Sequence, residues 1–191
     1  MIYVLYGHRG SGKTTLVDNL VKQGILPRVK TITTRPKRHP NESDYEFVHI
    51  SEFMRMEAQG NLLGIRNFKT FYEDSIKVFH YGIPIEKLKP FASDNNHCVI
   101  IADAKGVEEL FEYFGSDFII GVYMYGSKEL LKDRASSRDD YLEREWERRY
   151  EADNATLSLE EFIRNASGDK FITGYRYFLV SILLSPDEQV A

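Results

Sequence analysis

A single cysteine, a single tryptophan and no apolar run near the ~20 residues of a membrane span set the first limits on this 191-residue chain. One cysteine, Cys98, excludes a disulfide framework and a cysteine-based metal centre. It lies in the apolar run His97–Ala102 and is expected to be a buried core residue. The histidines at 8, 39, 49, 80 and 97 show no metal-ligand spacing. There is no excess of positive charge: 25 Lys and Arg face 29 Asp and Glu, a net charge of -4. That argues against a general nucleic-acid binder while leaving room for a local basic pocket. The first strand begins at Ile2, which leaves no room for a signal peptide, so the expected location is cytoplasmic, with no membrane and no nucleic acid as partner. There are no internal repeats and no low-complexity tract.

The length suits one compact domain with one or two inserted flaps. Ile2–Tyr6 reads as a buried strand ended by Gly7. Thr14–Lys22 has helical spacing and stops at Gly24. Val29–Ile32 and Tyr45–Ile50 read as strands, and Ser51 as the N-cap of a helix through Ala58. Asn61–Tyr81 mixes aromatics and charges around two β-like segments, and Ile85–Phe91 suits a short helix. The run His97–Ala102 is the clearest internal strand. A helix over Gly106–Phe114, a strand over Phe118–Met124 and a helix over Ser127–Ala135 capped by Ser127 follow. The stretch Arg134–Trp146 is dense in charge with almost no apolar stripe. Ser158 and Glu161 form a capping-box pattern before another helix, and Tyr177–Leu184 closes as a strand. Short apolar strands alternating with helices predict an α/β fold with a mainly parallel sheet, from which the polar stretches 33–82 and 134–146 are excursions.

The segment Gly7-His8-Arg9-Gly10-Ser11-Gly12-Lys13-Thr14 fits G-x-x-x-x-G-K-[ST] at every fixed position, between a strand and a helix. The chemistry needs these residue types. Glycines let the backbone curl until successive N–H groups point inward at phosphate oxygens, and the helix N-terminus adds its positive dipole end. Gly7, Gly10, Ser11, Gly12, Thr14 and Thr15 are therefore expected to bind ATP. Lys13 reaches the β- and γ-phosphates, and the Thr14 hydroxyl ligates Mg²⁺.

Two further groups carry an open reading. Asp103 ends the strand His97–Ala102 on the edge that faces the ligand crevice of such sheets. It is placed either to hold Mg²⁺ through water or to cap the helix beginning near Ala104. Thr31-Ile32-Thr33-Thr34-Arg35-Pro36-Lys37-Arg38, followed by Asp44-Tyr45-Glu46-Phe47, is either a grip for a phosphate dianion or an exposed basic turn.

These segments together resemble guanylate kinase, from Ile2 to about Leu184. The resemblance rests on the P-loop, on Thr33-Thr34-Arg35…Arg38…Asp44-Tyr45-Glu46-Phe47-Val48, on Tyr81-Gly82, on the strand-turn Ile100–Gly106 and on the arginines of 134–149. It implies a P-loop NTPase three-layer core from 1–32, 83–133 and 147–191, a β-rich acceptor-binding insert over 33–82 and a lid over 134–146. The implied core sheet is parallel and five-stranded. The implied activity is transfer of the ATP γ-phosphoryl to a nucleoside monophosphate, with ATP and Mg²⁺ as cofactors and small nucleotides as partners. Arg35, Arg38, Tyr45 and Tyr81 would clamp the acceptor phosphate, with Thr31 in the place of a base-contacting serine and Asp103 nearby. Lys13, Arg134, Arg138 and Arg149 would meet the ATP phosphates and the moving group; Arg148 exchanges with Arg149 if the alignment shifts by one.

The departures are concentrated where the family reads its base. Gly64 stands where a glutamate accepts hydrogen bonds from guanine, Ile83 replaces a serine, Ile101 replaces the first acid of an Asp-x-Asp strand end, and Ser181 replaces an asparagine. The stretch between Arg66 and His80 is longer than usual and contains Glu73 and Asp74, either of which could restore the lost acid or decorate an exposed loop. Weak guanine preference is expected, with GMP and dGMP accepted but not alone. Two other readings share these residues: a kinase for another (deoxy)nucleotide or for ribose 1,5-bisphosphate, and a catalytically silent guanylate-kinase-like interaction module. The complete P-loop speaks against the second.

Overall fold

The computed structural model describes residues 1–72, 75–93, 95–137, 142–156 and 176–181. Two sheets organise them. The first has the order β6-β1-β7-β8, all parallel, from Cys98–Ile101 (β6), Ile2–Tyr6 (β1), Ile119–Tyr125 (β7) and Arg176–Ser181 (β8). Ile2, Val4, Cys98, Val99, Ile100 and Ile119 are fully buried, as expected for strands covered on both faces. Helices α1 (Lys13–Lys22), α4 (Ala104–Phe114) and α5 (Lys128–Ser136) connect the strands. Cys98 is buried in this core, and burial pushes its thiol up to about 12, so it stays protonated and inert.

The segment read as one strand over Val29–Ile32 is divided between the two sheets. Arg28 makes a single parallel bridge with Val99 at the β6 edge, flanked by Val29 N–H to Val99 O at 2.9 Å and Val99 N–H to Pro27 O at 3.0 Å. Pro27 has no N–H, so it cannot add a donor to this ladder. That bridge is what the fifth place of the parallel sheet amounts to among the described residues. The chain then crosses, and Ile32–Thr33 (β2) belongs to the second sheet, of order β3-β2-β5-β4.

That second sheet is mostly a long antiparallel hairpin of β4 (Leu62–Tyr72) and β5 (Ser75–Pro84), extended by β2 and by Glu46–Phe47 (β3). The strand expected over Tyr45–Ile50 is only two residues long, because helix α2 (Ile50–Ala58) begins at Ile50. Its N-cap is His49, not Ser51: the His49 ring accepts from the Ser51 N–H. Phe53 of α2 packs with Ile32 and Leu62 to form this sheet's own small core. Ile85–Leu88 (α3) and a 3₁₀ turn over Lys89–Phe91 return the chain to β6.

The charge-dense stretch after α5 leads into α6 (Glu143–Thr156), a helix that the apolar pattern does not reveal. Its anchor is narrow. Trp146 is buried with Leu131 and Ala135 of α5, and Tyr150 packs against them. Ion pairs between Lys132 and Glu143 (2.6 Å) and between Lys128 and Glu147 (2.9 Å) fasten the rim. The capping-box pattern at Ser158 and Glu161 lies outside the described residues, as do Glu73, Asp74 and Arg138. No described helix is long and apolar enough to cross a membrane.

Candidate active site

The loop between β1 and α1 curls around a cavity. Gly12 caps α1 in the left-handed region (φ 85°), a conformation that costs little only without a Cβ. Lys13 folds back over the loop. Its ammonium donates to the carbonyls of Gly7 and His8, each at 2.8 Å, and to Ser11 Oγ at 3.2 Å. Gly7, Gly10, Gly12, Lys13, Thr14 and Thr15 line a cavity of about 320 Å³, closed on its far side by Arg149 and Asp153 of α6. Ser11 is buried beneath it.

His8, in the middle of the loop, is buried, and its ring lies 5.0 Å from that of Tyr150. Burial first, then the Lys13 charge, holds its pKa below the ordinary histidine value, so the ring is neutral at pH 7. Asp153, one turn beyond Arg149, accepts from the Arg9 N–H. Burial raises its carboxyl above the usual carboxylate range, against the pull of Lys13, that N–H and Arg149.

A second cavity, about 540 Å³, opens from the first toward the β4–β5 hairpin. Arg35, Arg38, Tyr45 and Tyr81 line it together, with Thr31 beside them. Arg35 sits 5.6 Å from the Tyr45 ring centroid, and the Tyr45 and Tyr81 rings meet edge to face at 5.6 Å. Burial, then Tyr81, pushes the Tyr45 phenol above its ordinary value, which keeps it a neutral hydroxyl.

Glu42 completes this cluster and has no counterpart in the sequence reading. It is buried, and it receives Arg35 through two hydrogen bonds (2.6 and 3.2 Å) and the Arg38 N–H at 2.6 Å. Burial opposes the Arg35 charge, but the Glu42 contact outweighs it and raises the arginine's pKa. On Glu42 burial likewise opposes ionisation, and Arg35 and the Arg38 N–H outweigh it, so its pKa is depressed. Glu42→Ala would leave a buried guanidinium without its carboxylate, and should cost about 3–5 kcal/mol in urea unfolding. Because the folded pKa lies below the unfolded one, this stabilisation is complete above about pH 4.3, the ordinary glutamate value, and is lost as pH falls through the lower folded value.

The larger cavity alone is lined by Gly64, Ile83, Ala102 and Asp103, while Ile101 lines both cavities. Asp103 caps α4, accepting from the Gly106 N–H at 2.7 Å. The same carboxylate receives Arg66 from β4 through two bonds, Nε to Oδ2 at 2.9 Å and Nη2 to Oδ1 at 3.1 Å. Glu109, one turn into α4, accepts from the Gly64 N–H at 2.6 Å and from Arg66 Nη1 at 3.3 Å. Thus the P-loop lines the first cavity, Arg35, Tyr81 and Asp103 line the second, and Lys13, Thr31, Arg38, Tyr45 and Arg149 line both. Arg134, in the last turn of α5, lines neither cavity.

No family model matches the chain. It is 28% identical over 143 residues to a guanylate kinase of Alkalilimnicola ehrlichii, covering 72% of this chain and 64% of that one. It is 30% identical over 145 residues to a guanylate kinase of Rhodopseudomonas palustris, covering 72% and 60%. A crystal structure of guanylate kinase from Anaplasma phagocytophilum superposes with a TM-score of 0.62, at 19% identity, over 96% of this chain and 77% of that chain. These likenesses support a place in the guanylate kinase family. It spans a little under two thirds of the length of those two curated relatives.

Four residues that shape the cavities were not read from the sequence: Glu42, Arg66, Glu109 and Asp153. Glu42 carried a readable signal, an acid seven residues after Arg35 in the same loop. The others act across long separations, 37 residues between Arg66 and Asp103 and 45 between Gly64 and Glu109, and nothing local marks them. The vacancy at Gly64 is enforced by geometry. Its φ is +57°, and a Cβ there would come within 2.9 Å of the Ile83 side chain and 3.5 Å of the Gly106 Cα. Gly64→Ala should lower stability by about 1–3 kcal/mol in denaturant unfolding, and a glutamate placed there should fare worse.

Proposed function

We propose that this protein transfers the γ-phosphoryl of ATP to the phosphate of a nucleoside monophosphate, with GMP or dGMP as the leading acceptors. The observation that carries this reading is a shared wall. Lys13, Arg9, Arg38, Tyr45, Arg149 and Asp153 line both cavities, so a donor in the P-loop and an acceptor phosphate beside Arg35 would meet there. The donor set also suits the metal. Thr14 faces the phosphate cavity and is the hydroxyl the loop offers, while Asp103, with Arg66 and the Gly106 N–H already on its oxygens, would act through water. Mg²⁺ would neutralise charge on the β- and γ-phosphate oxygens.

The protein's own task is positioning and electrostatics. The acceptor phosphate is already an anionic nucleophile, so no general base is needed. Lys13 would leave its carbonyl partners for the donor phosphates. Arg149 would stabilise the charge spread over the moving group. Arg35, pre-oriented by Glu42, would hold the acceptor with Arg38 and the phenols of Tyr45 and Tyr81. A coupled ADP-release assay over nucleoside monophosphates and sugar phosphates tests this. Turnover with GMP or dGMP is expected. Turnover with only ribose 1,5-bisphosphate would move the protein to a sugar-phosphate kinase, and no turnover with any acceptor would make it a silent module.

A further inference from the structure

The β4–β5 hairpin carries part of the acceptor cavity's wall, and helix α4 grips it at two levels. At the base the contact is apolar: Leu63 of β4 and Ile83 of β5 pack into the main core with Val107 and Leu110 of α4. Strand and helix run close there, since a Cβ on Gly64 would lie 3.5 Å from the Gly106 Cα. Farther out the contact is ionic. Arg66 is mostly buried, with 18% of its side chain exposed, and two acids of α4 hold it. Asp103, the helix cap, takes its Nε at 2.9 Å and its Nη2 at 3.1 Å. Glu109 takes its Nη1 at 3.3 Å and, with the other oxygen, the Gly64 N–H at 2.6 Å. Next along β4, Asn67, Phe68 and Lys69 are exposed, so Arg66 is the outer anchor of the strand among the described residues. Across the hairpin, Arg66 is the register partner of Tyr81. Tyr81 meets Tyr45 edge to face, and both line the acceptor cavity with Arg35.

Resting on the nucleotide reading above, we propose that Glu109 is a positioning residue for the acceptor: with Asp103 it pins Arg66 to the core, and through Arg66 the strand pair that carries Tyr81, so that the acceptor cavity is assembled before the acceptor arrives. Glu109 lines neither cavity, so it acts through Arg66 and the Gly64 N–H and not by touching a substrate. Its bonds to Arg66 and to the strand backbone are charge-assisted and stronger than neutral ones. A hairpin released from α4 would have to be docked by the acceptor itself. The apparent affinity would then fall in proportion to the fraction of molecules already docked. The donor side is spared, because the P-loop is built between β1 and α1 and owes nothing to this clamp.

The test joins amide hydrogen exchange with steady-state kinetics, using GMP as acceptor at saturating ATP, on the wild type, Glu109→Ala and Glu109→Gln. In the ligand-free wild type the amides of the β4–β5 hairpin should already be protected, with little gain when GMP is added. In Glu109→Ala they should exchange faster, and GMP should restore them. Glu109→Ala should raise the acceptor KM about tenfold, the worth of a charged hydrogen bond discounted for partial exposure, and leave kcat and the ATP KM within about twofold. Glu109→Gln, which keeps an acceptor for the Gly64 N–H, should fall between. A brace that served stability alone would lower the midpoint of urea unfolding without moving the acceptor KM, and that result would overturn the proposal. So would hairpin amides that are unprotected in the free wild type and gain protection only with GMP, a comparison that stands even if the variants fail to fold. Turnover with a sugar phosphate alone would overturn the nucleotide reading, and the same KM comparison on that acceptor would then decide this inference separately. No turnover with any acceptor would overturn both.

Discussion

Lys13→Ala should abolish phosphoryl transfer and leave the fold in place. The ammonium donates to the two loop carbonyls and to Ser11 Oγ, within the loop it serves, and it is partly exposed at the cavity rather than buried in the core. Removing it takes one cation from the spot where charge develops. Losing a single preorganised donor from such a site costs on the order of 10²–10³ in rate, and a full charge facing phosphate should cost at least the upper end. The check is turnover together with circular dichroism. Near-wild-type turnover in a normally folded variant would remove the P-loop from the mechanism.

Arg149→Ala should act on turnover rather than on acceptor affinity. Arg149 is the α6 cation that lines both cavities, beside Asp153 and facing Lys13 across the point where the two open into each other. Arginines that meet a moving phosphoryl group are worth ~10³–10⁵ in rate in related chemistry. Arg35→Met, by contrast, should raise the acceptor KM with a smaller change in kcat. If Arg149→Ala raised only the acceptor KM, the division of labour between α6 and the Arg35 cluster would be wrong. Arg134→Ala is a useful companion, because Arg134 lines neither cavity and a large loss of turnover there would require α5 to move toward the phosphates during the cycle.

What could be read from the sequence follows from how local each feature is. The P-loop is dictated by seven neighbouring peptide units, so the residue types alone specify it, down to the glycine at the left-handed cap. Helices α1, α4 and α5 are close to where apolar spacing and caps put them, and Asp103 resolves as the cap of α4 that the sequence left open. Val29–Ile32 failed as a single strand because the apolar pattern records burial and not which sheet does the burying. Helix α6 was missed because two aromatics four residues apart, Trp146 and Tyr150, provide the anchor that a full apolar stripe would otherwise supply, and the surrounding charges mask them. Arg66 was invisible for a different reason. Its partners lie on α4, and the pairing exists only once the hairpin has been folded onto the core. The cations that line the cavities were legible because the P-loop and the Thr33–Arg38 loop carry them close together in sequence; Arg66 and Glu109 were not, because their pairing spans two distant elements.

The rings of Tyr123, His8, Tyr150 and Trp146 follow one another from the central strand β7, through the β1–α1 loop, to α6, with Trp146 stacked on Tyr150 at 5.2 Å and an interplanar angle of 20°. Trp146 is the chain's one tryptophan. Selective excitation of its indole therefore illuminates a single place, the packing contact between α5 and α6. Any rearrangement of α6 as Lys13 and Arg149 turn toward phosphate must disturb the stack or the buried surroundings of that indole, and so change its emission. If the proposed donor site is right, nucleotide addition should change tryptophan emission in a stopped-flow cell without a label.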